Sequence, residues 1–333
     1  MYKNMEFDMT FKLSTTAVAV SAAMLTLSAG TALASNGESL GSDPIRIVMP
    51  YGAGGSTDIT ARIIAANAAE HCGSRIDVVS MPGAGGMEGL QFVADAEPNG
   101  HTILMADYSA TITQTLTEDT PWEVEDWVPI VHLTDWKPTV YVKADHDIQS
   151  IEDWIELAEA EPNSLVFGHA DPLSLVHLPL VMLEQETGIQ NVHLPTTGGG
   201  ETRTMILGGH IDLGMTLPPS IVSNVNSGEV TAIGVFADER SDVLPDVPTF
   251  REAGYDVSFE APLLVYAFSS VPESIQQELS ECIMQGLETD TAQTMSTQAS
   301  AGLDNVQGLE SAQAIYRDTT QRVRDVLAAI NQD

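Results

Sequence analysis

The stretch Pro44-Ile45-Arg46-Ile47-Val48-Met49-Pro50-Tyr51-Gly52-Ala53-Gly54-Gly55-Ser56-Thr57-Asp58 passes from a β-branched run through a glycine turn into residues with apolar side chains at helical spacing, up to Glu70. It reads as strand, loop and helix. The pattern then repeats, with Ile76-Asp77-Val78-Val79 as strand, Pro82-Gly83-Ala84-Gly85-Gly86 as loop, Gly86 to Ala96 as helix and Thr102 to Met105 as a third strand. Strands alternating with helices predict parallel α/β topology. Both loops read Gly-Ala-Gly-Gly and lie at the carboxyl ends of strands, where such sheets take ligands. Glycine lets successive N–H groups converge on an anion, assisted by the positive end of the following helix. Ser56, Thr57 and Asp58 add hydroxyl donors and a helix cap. One glycine turn is a common structural feature; two in consecutive units predict a carboxylate site.

Further along, Val128 to Leu133 and Thr139 to Val142 read as strands, Ile151 to Ala160 as a helix and Leu165 to Phe167 as a strand. Helix Leu175 to Thr187, strand Asn191 to Leu194, helix Glu201 to Leu207 and strand Val230 to Val235 extend the alternation. Pro245-Asp246-Val247-Pro248-Thr249 predicts turns before a short helix, and helices follow at Pro272 to Leu287 and Leu309 to Ile330, after a strand from Leu263 to Phe268.

Several chemistries are disfavoured. The first loop has Thr57 where a dinucleotide fingerprint needs its last glycine, and neither loop carries the Gly-Lys-[Ser/Thr] of a P-loop. Gly54-Gly55-Ser56-Thr57-Asp58 is not a nucleophile elbow. The eight histidines show no tight ligand spacing, so no metal and no cofactor are expected. With 13 Lys+Arg against 47 Asp+Glu, a net charge of −34, the 333-residue chain cannot assemble a phosphate-binding stripe. Nucleic acid and a polybasic membrane-surface role are therefore excluded. A hydrophobic content of 43% is enough to build cores, and the length suggests roughly two domains at about 150 residues each.

Lys12 precedes an uncharged run from Leu13 that closes on Ala32-Leu33-Ala34, which predicts a secretory signal peptide, residues 1–34, cleaved after Ala34. Glu6 and Asp8 are unusual before such a run and fit a start at Met9. Removing this segment takes away two lysines and two acids, leaving 11 basic and 45 acidic residues with only Lys137 and Lys143 as lysines. Such a surface suits a salty medium. Export also permits a disulfide between Cys72 and Cys282 if their helices are neighbours; two buried thiols are the alternative.

Read together, the two opening motifs resemble those of the Bug or TctC-type family, the periplasmic solute receptors of tripartite tricarboxylate transporters. The resemblance continues at Glu97-Pro98-Asn99-Gly100-His101-Thr102, His177-Leu178, Leu207-Gly208-Gly209-His210-Ile211-Asp212, Arg240 and Leu244-Pro245-Asp246-Val247-Pro248-Thr249-Phe250-Arg251-Glu252-Ala253-Gly254. It implies a two-lobed periplasmic-binding-protein (Venus flytrap) fold, each lobe a mostly parallel sheet flanked by helices. Lobe 1 would comprise 35–138 plus 262–333 and lobe 2 139–261, with both cysteines in lobe 1, which favours the bridge. It also implies a small carboxylate held in the interlobe cleft by the two glycine loops.

The chain departs from the family at Pro195-Thr196-Thr197-Gly198, where a lysine and an aromatic are usual, and at Gly168-His169-Ala170-Asp171-Pro172. Losing a cation there predicts a ligand whose distal end is neutral, hydroxylated or cationic. The candidate ligand-binding residues are Tyr51, Ala53, Gly54, Gly55, Ser56, Thr57 and Asp58; Gly83, Ala84, Gly85 and Gly86; Ser109; Trp136, which would line the cleft or else belong to the core; His169, Ala170 and Asp171; and Thr196, Thr197 and Gly198. The expectation is a monomeric, non-enzymatic periplasmic receptor delivering an organic acid to the transporter's membrane components. The alternatives are a secreted enzyme using Asp58, Asp171 or His169 as acid or base, and a sensor partner that presents its closed form to a signalling protein.

Overall fold

Strand β1 (Ile45–Met49) buries every side chain except Arg46, as a strand covered on both faces must. The computed structural model describes residues 39–170, 174–303 and 305–330, and the expected signal peptide and Asp171 lie outside them. After β1 come α1 (Ser56–Ala68), β2 (Ile76–Ser80), α2 (Met87–Ala94), β3 (Thr102–Asp107), α3 (Gln114–Thr117) and β4 (Trp127–Trp136). The chain continues through β5 (Thr139–Lys143), α4 (Ile151–Ala160), β6 (Val166–His169), α5 (Leu178–Thr187), β7 (Val192–Pro195), α6 (Gly199–Leu207), β8 (Leu213–Thr216), α7 (Pro218–Ser227) and β9 (Val230–Val235). It ends with β10 (Ala261–Phe268), α8 (Glu273–Leu287), α9 (Asp290–Ala299) and α10 (Leu309–Ile330).

Two five-stranded sheets result, ordered β2-β1-β3-β10-β4 and β7-β6-β8-β5-β9. They share one plan. In each, three strands from consecutive βα units run parallel, and a fourth position is filled by a strand antiparallel to both neighbours, β10 in the first sheet and β5 in the second. Four of the five strands in each sheet therefore point the same way, so each sheet is mostly parallel, as expected, with one antiparallel strand inserted. The reason is topological: β5 leaves the first sheet through only Lys137 and Pro138, and β10 returns from the second, so each enters its new sheet against the grain. These crossings touch, since Phe236 N–H donates to the Pro138 carbonyl at 2.9 Å and Phe259 N–H to the Phe236 carbonyl at 3.2 Å.

Local chemistry accounts for the helices that the sequence shows most plainly. α4 starts at Ser150, whose hydroxyl accepts from Asp153 N–H at 3.1 Å, and buries Ile151, Trp154, Ile155 and Ala158, one face of a helix. Trp154 then stacks on Phe167 with ring centroids 5.4 Å apart. Four elements escaped the sequence reading: α3 and β8, each four residues long, α7, whose Pro218-Pro219 reads as a breaker but occupies the first turn, and the polar α9. The short helix expected after Thr249 is instead a turn over 250–254, closed by Gly254 N–H on the Arg251 carbonyl.

α1 packs on α8 and α9. A Cβ on Gly286 would lie 2.4 Å from Ala68 Cα, so that glycine sets the close approach of α1 and α8. The same approach brings Cys72, in the turn after α1, to Cys282, with Cα atoms 4.9 Å apart and a disulfide between them. Among the described residues no helix is long and apolar enough to cross a membrane.

Candidate functional site

The loop after β1 is shaped by Gly54. Its φ of +82° lets the amide turn back to donate to Asp58 Oδ2 at 3.0 Å. Arg62, one turn along α1, pairs with the same carboxylate at 2.8 Å and 3.1 Å. Asp58 therefore anchors the loop. Ser56 Oγ lies 2.8 Å from Ser220 Oγ, at the start of α7, tying the amino end of α1 to the second sheet. α1 begins without a side-chain cap, so its first amides have neither an intrahelical carbonyl nor a capping oxygen.

A matching end comes from the second sheet. Thr196 donates its N–H (2.7 Å) and its hydroxyl (3.0 Å) to the His169 carbonyl, holding the exit of β7 to the end of β6. Thr197 donates its amide (2.7 Å) and hydroxyl (2.8 Å) to Glu201 Oε2, which holds that carboxyl below its usual range. Gly198, with φ +136°, then starts α6, again without a side-chain cap. The two loops touch directly. Gly52 N–H donates to the Thr197 carbonyl at 2.9 Å, and a Cβ on Gly200 would meet the Ala53 carbonyl oxygen at 2.9 Å.

Between these loops lies a cavity of about 50 Å³. Tyr51, Gly52, Gly55, Ser56, Thr57 and Asp107 line it from the first sheet, and Ala170, Leu175, Val176, Gly198, Gly199, Thr216 and Leu217 from the second. Among the described residues no lysine or arginine lines it. Asp107, the one carboxyl among the described lining residues, accepts from Ser109 N–H at 2.7 Å, from the Ser109 hydroxyl and from the Tyr51 hydroxyl at 2.8 Å. Burial nevertheless outweighs these bonds and pushes the carboxyl above its usual range. The cavity thus offers two uncapped helix amino ends, hydroxyls, and a carboxyl biased toward its neutral form: a setting for a small anion with a polar tail.

The second glycine loop is placed differently. Ala84, Gly85 and Gly86 all take positive φ (52°, 66° and 92°), and Gly86 backs onto Pro50, whose carbonyl a Cβ would meet at 2.9 Å. None of Gly83, Ala84, Gly85 and Gly86 lines the cavity; Ala84 instead borders a larger, open hollow of about 950 Å³ along α2. That hollow shares no residue with the smaller one, and neither α1 nor α6 contributes to it. The second loop supports the first through Pro50. Trp136 is 3% exposed within the core and borders a separate hollow beside Lys137, Pro218 and Pro219. Ser109 positions Asp107. Ala170 lines the cavity, whereas His169 is not among its lining residues and stacks on His177 with centroids 4.0 Å apart. Burial lowers His169 to about 4 and His177 to about 3, so both rings are neutral at pH 7.

Sequence reasoning missed Gly52, Asp107, Leu175, Val176, Gly199, Thr216 and Leu217. One signal was present: Gly198-Gly199-Gly200 follows a strand and opens a helix, the same pattern as the first loop. Thr216 ends, and Leu217 follows, a strand too short to stand out, and Asp107 belongs to the site only through the cavity.

Residues 60–331 match the model of the tripartite tricarboxylate transporter family receptor. A curated relative, the UPF0065 protein in the gbd 5′ region of Cupriavidus necator, is 30% identical over 248 residues, covering 74% of this chain and 75% of that protein. Among solved structures, periplasmic binding protein BugD superposes with a TM-score of 0.76 at 24% identity, covering 87% of this chain and 95% of that one. MatC from Rhodopseudomonas palustris with bound malate gives 0.76 at 24% identity, with 86% and 97% coverage. R. palustris Rpa4515 with adipate gives 0.75 at 23% identity, with 87% and 95% coverage. At these identities the structural likenesses establish the fold.

Proposed function

Since the chain belongs to the tripartite tricarboxylate transporter receptor family, we propose that it is a periplasmic, non-enzymatic and monomeric receptor that captures a small organic acid and delivers it to the membrane components of such a transporter. Lobe 1 comprises 35–138 and 262–333, lobe 2 comprises 139–261, and the paired crossings at Pro138 and Phe236 serve as the hinge. The observation that carries this reading is the meeting of two uncapped helix ends, α1 from one sheet and α6 from the other, at one cavity. A carboxylate placed there accepts amides from both lobes and so favours the closed form.

The malate and adipate of the two structural relatives agree with a carboxylate ligand. With no cationic side chain among the described lining residues, and the Asp107 carboxyl at one side, the cavity favours a ligand with one carboxylate and a hydroxyl or ammonium group rather than a second strong anion. Two groups considered for catalysis are otherwise engaged: Asp58 with Gly54 and Arg62, and His169 with His177 and the Ala170 carbonyl. The test is thermal shift followed by calorimetry of the chain from Ser35, with monocarboxylates, hydroxyacids, dicarboxylates and amino acids. A receptor gains stability with one class of acid and returns it unchanged; stabilisation by none, or chemical turnover of a hit, defeats the reading.

A further inference from the structure

Behind the cavity wall, three imidazoles that sequence spacing did not connect come together. His169 closes β6, His193 lies on the neighbouring β7, where its register partner is Phe167, and His177 is the residue before α5. One ring nitrogen from each lies within 4.8 Å of the others. His177 Nε2 is 2.8 Å from His193 Nδ1, and His169 Nε2 is buried with no partner among the described residues, in a residue only 1% exposed. An unpartnered nitrogen at that depth forfeits a hydrogen bond unless something else occupies it.

The outer atoms of two of these rings are held. His193 Nε2 lies 3.0 Å and 3.1 Å from the Glu184 carboxylate oxygens, and His169 Nδ1 bonds the Ala170 carbonyl. With Nε2–H donated to Glu184, His193 presents the lone pair of Nδ1 inward; with Nδ1–H donated to Ala170, His169 presents that of Nε2. This is the way a carboxylate and a carbonyl orient metal-ligating histidines. Metal–nitrogen bonds of 2.0–2.1 Å in a tetrahedral site separate the nitrogens by about 3.3 Å. Reaching that requires parting His177 from His193 by about half an ångström, adjusting His169, whose nitrogen lies within 4.8 Å of the other two, to the same spacing, and His177 carrying its proton on Nδ1.

We infer that His169, His177 and His193 form a three-imidazole site for a divalent ion of the zinc class, oriented by Glu184 and the Ala170 carbonyl and leaving a fourth position for water. Three neutral nitrogen donors suit zinc over magnesium or calcium, which require oxygen. The single Glu184 charge offsets part of the ion's charge. The site is independent of the carboxylate reading, because it uses none of the cavity-lining side chains.

The test is a titration of the chelator-stripped mature chain with Zn²⁺ against a chromophoric competitor, in excess Mg²⁺ so that surface carboxylates are occupied. One Zn²⁺ per chain is expected. Affinity should fall at least about 100-fold in His193→Gln and roughly 10–100-fold in Glu184→Gln, with both metal-free variants still unfolding cooperatively. Co²⁺ bound to the unaltered chain should show the intense visible bands of a low-coordinate nitrogen site, a readout that needs no variant to fold. Binding no tighter than that of the surface acids, weak octahedral Co²⁺ bands, or equal affinity in a folded His193→Gln variant would overturn the inference.

Discussion

The amide of Gly52 donates to the carbonyl of Thr197 at 2.9 Å, so the loop leaving β1 is fastened to the loop leaving β7. The bond joins the loops of the two sheets beside the cavity that Gly52 and Gly198 line, and both partners are shaped for it. A Cβ on Gly52 would come within 3.0 Å of Thr197 Oγ1, while Glu201 holds Thr197 from the other side.

Replacing Gly52 with valine should therefore part the loops. Acid binding, measured by calorimetry with the best ligand from the screen, is expected to weaken at least about 10-fold, the equivalent of about 1.4 kcal/mol. Gly54→Ala is the contrasting variant, because a Cβ there meets nothing within 4 Å and the cost is backbone strain at φ +82°, about 1–2 kcal/mol of stability. Equal affinity in Gly52→Val would show that the loops do not close on the ligand.

Asp107 predicts a pH dependence. Its folded pKa lies above the unfolded value of about 3.9, so its contribution to stability is complete below that value and is lost as pH rises through the folded pKa. Ionisation also places a negative charge beside the bound carboxylate. Affinity for an acid should decline across the same interval, and Asp107→Asn should flatten both the stability and the binding curves. A binding profile of unchanged slope in that variant would assign the dependence elsewhere.

The Cys72–Cys282 bridge closes a loop spanning 210 residues. Reducing it, or replacing both cysteines with serine, should lower the unfolding free energy by about 2–5 kcal/mol in denaturant titrations. Neither cysteine lines the cavity, so ligand affinity of the folded fraction should be unchanged.

The net charge of −34 opposes the approach of an anionic ligand, even though the helix ends attract it at short range. Raising salt shortens the screening length to about 8 Å at 0.15 M and about 3 Å at 1 M. Stopped-flow association with an anionic acid should accordingly quicken with ionic strength; rates that fall with salt would point to local cationic steering.

Local signals were enough for β1, the first glycine loop, α1, α4 and α10, because periodicity, glycine and caps act within a few residues. They also announced the parallel βα units. They failed where an element carries little pattern of its own, as in the four residues of β8 or the proline pair that opens α7.

By itself, then, the sequence determined the α/β class, the acidic character and the anion-seeking chemistry of glycine before a helix. Tertiary structure decided the rest. Only pairing could insert β5 and β10 antiparallel into the opposite sheets, choose the first glycine loop over the second as cavity wall, and recruit Asp107 and Gly199. Only the adjacency of β6 and β7 could gather His169, His177 and His193, which lie 8 and 16 residues apart along the chain. The physical reason is range: turns and helix ends are set by neighbours in the chain, whereas a site is set by which strand ends the sheets bring together.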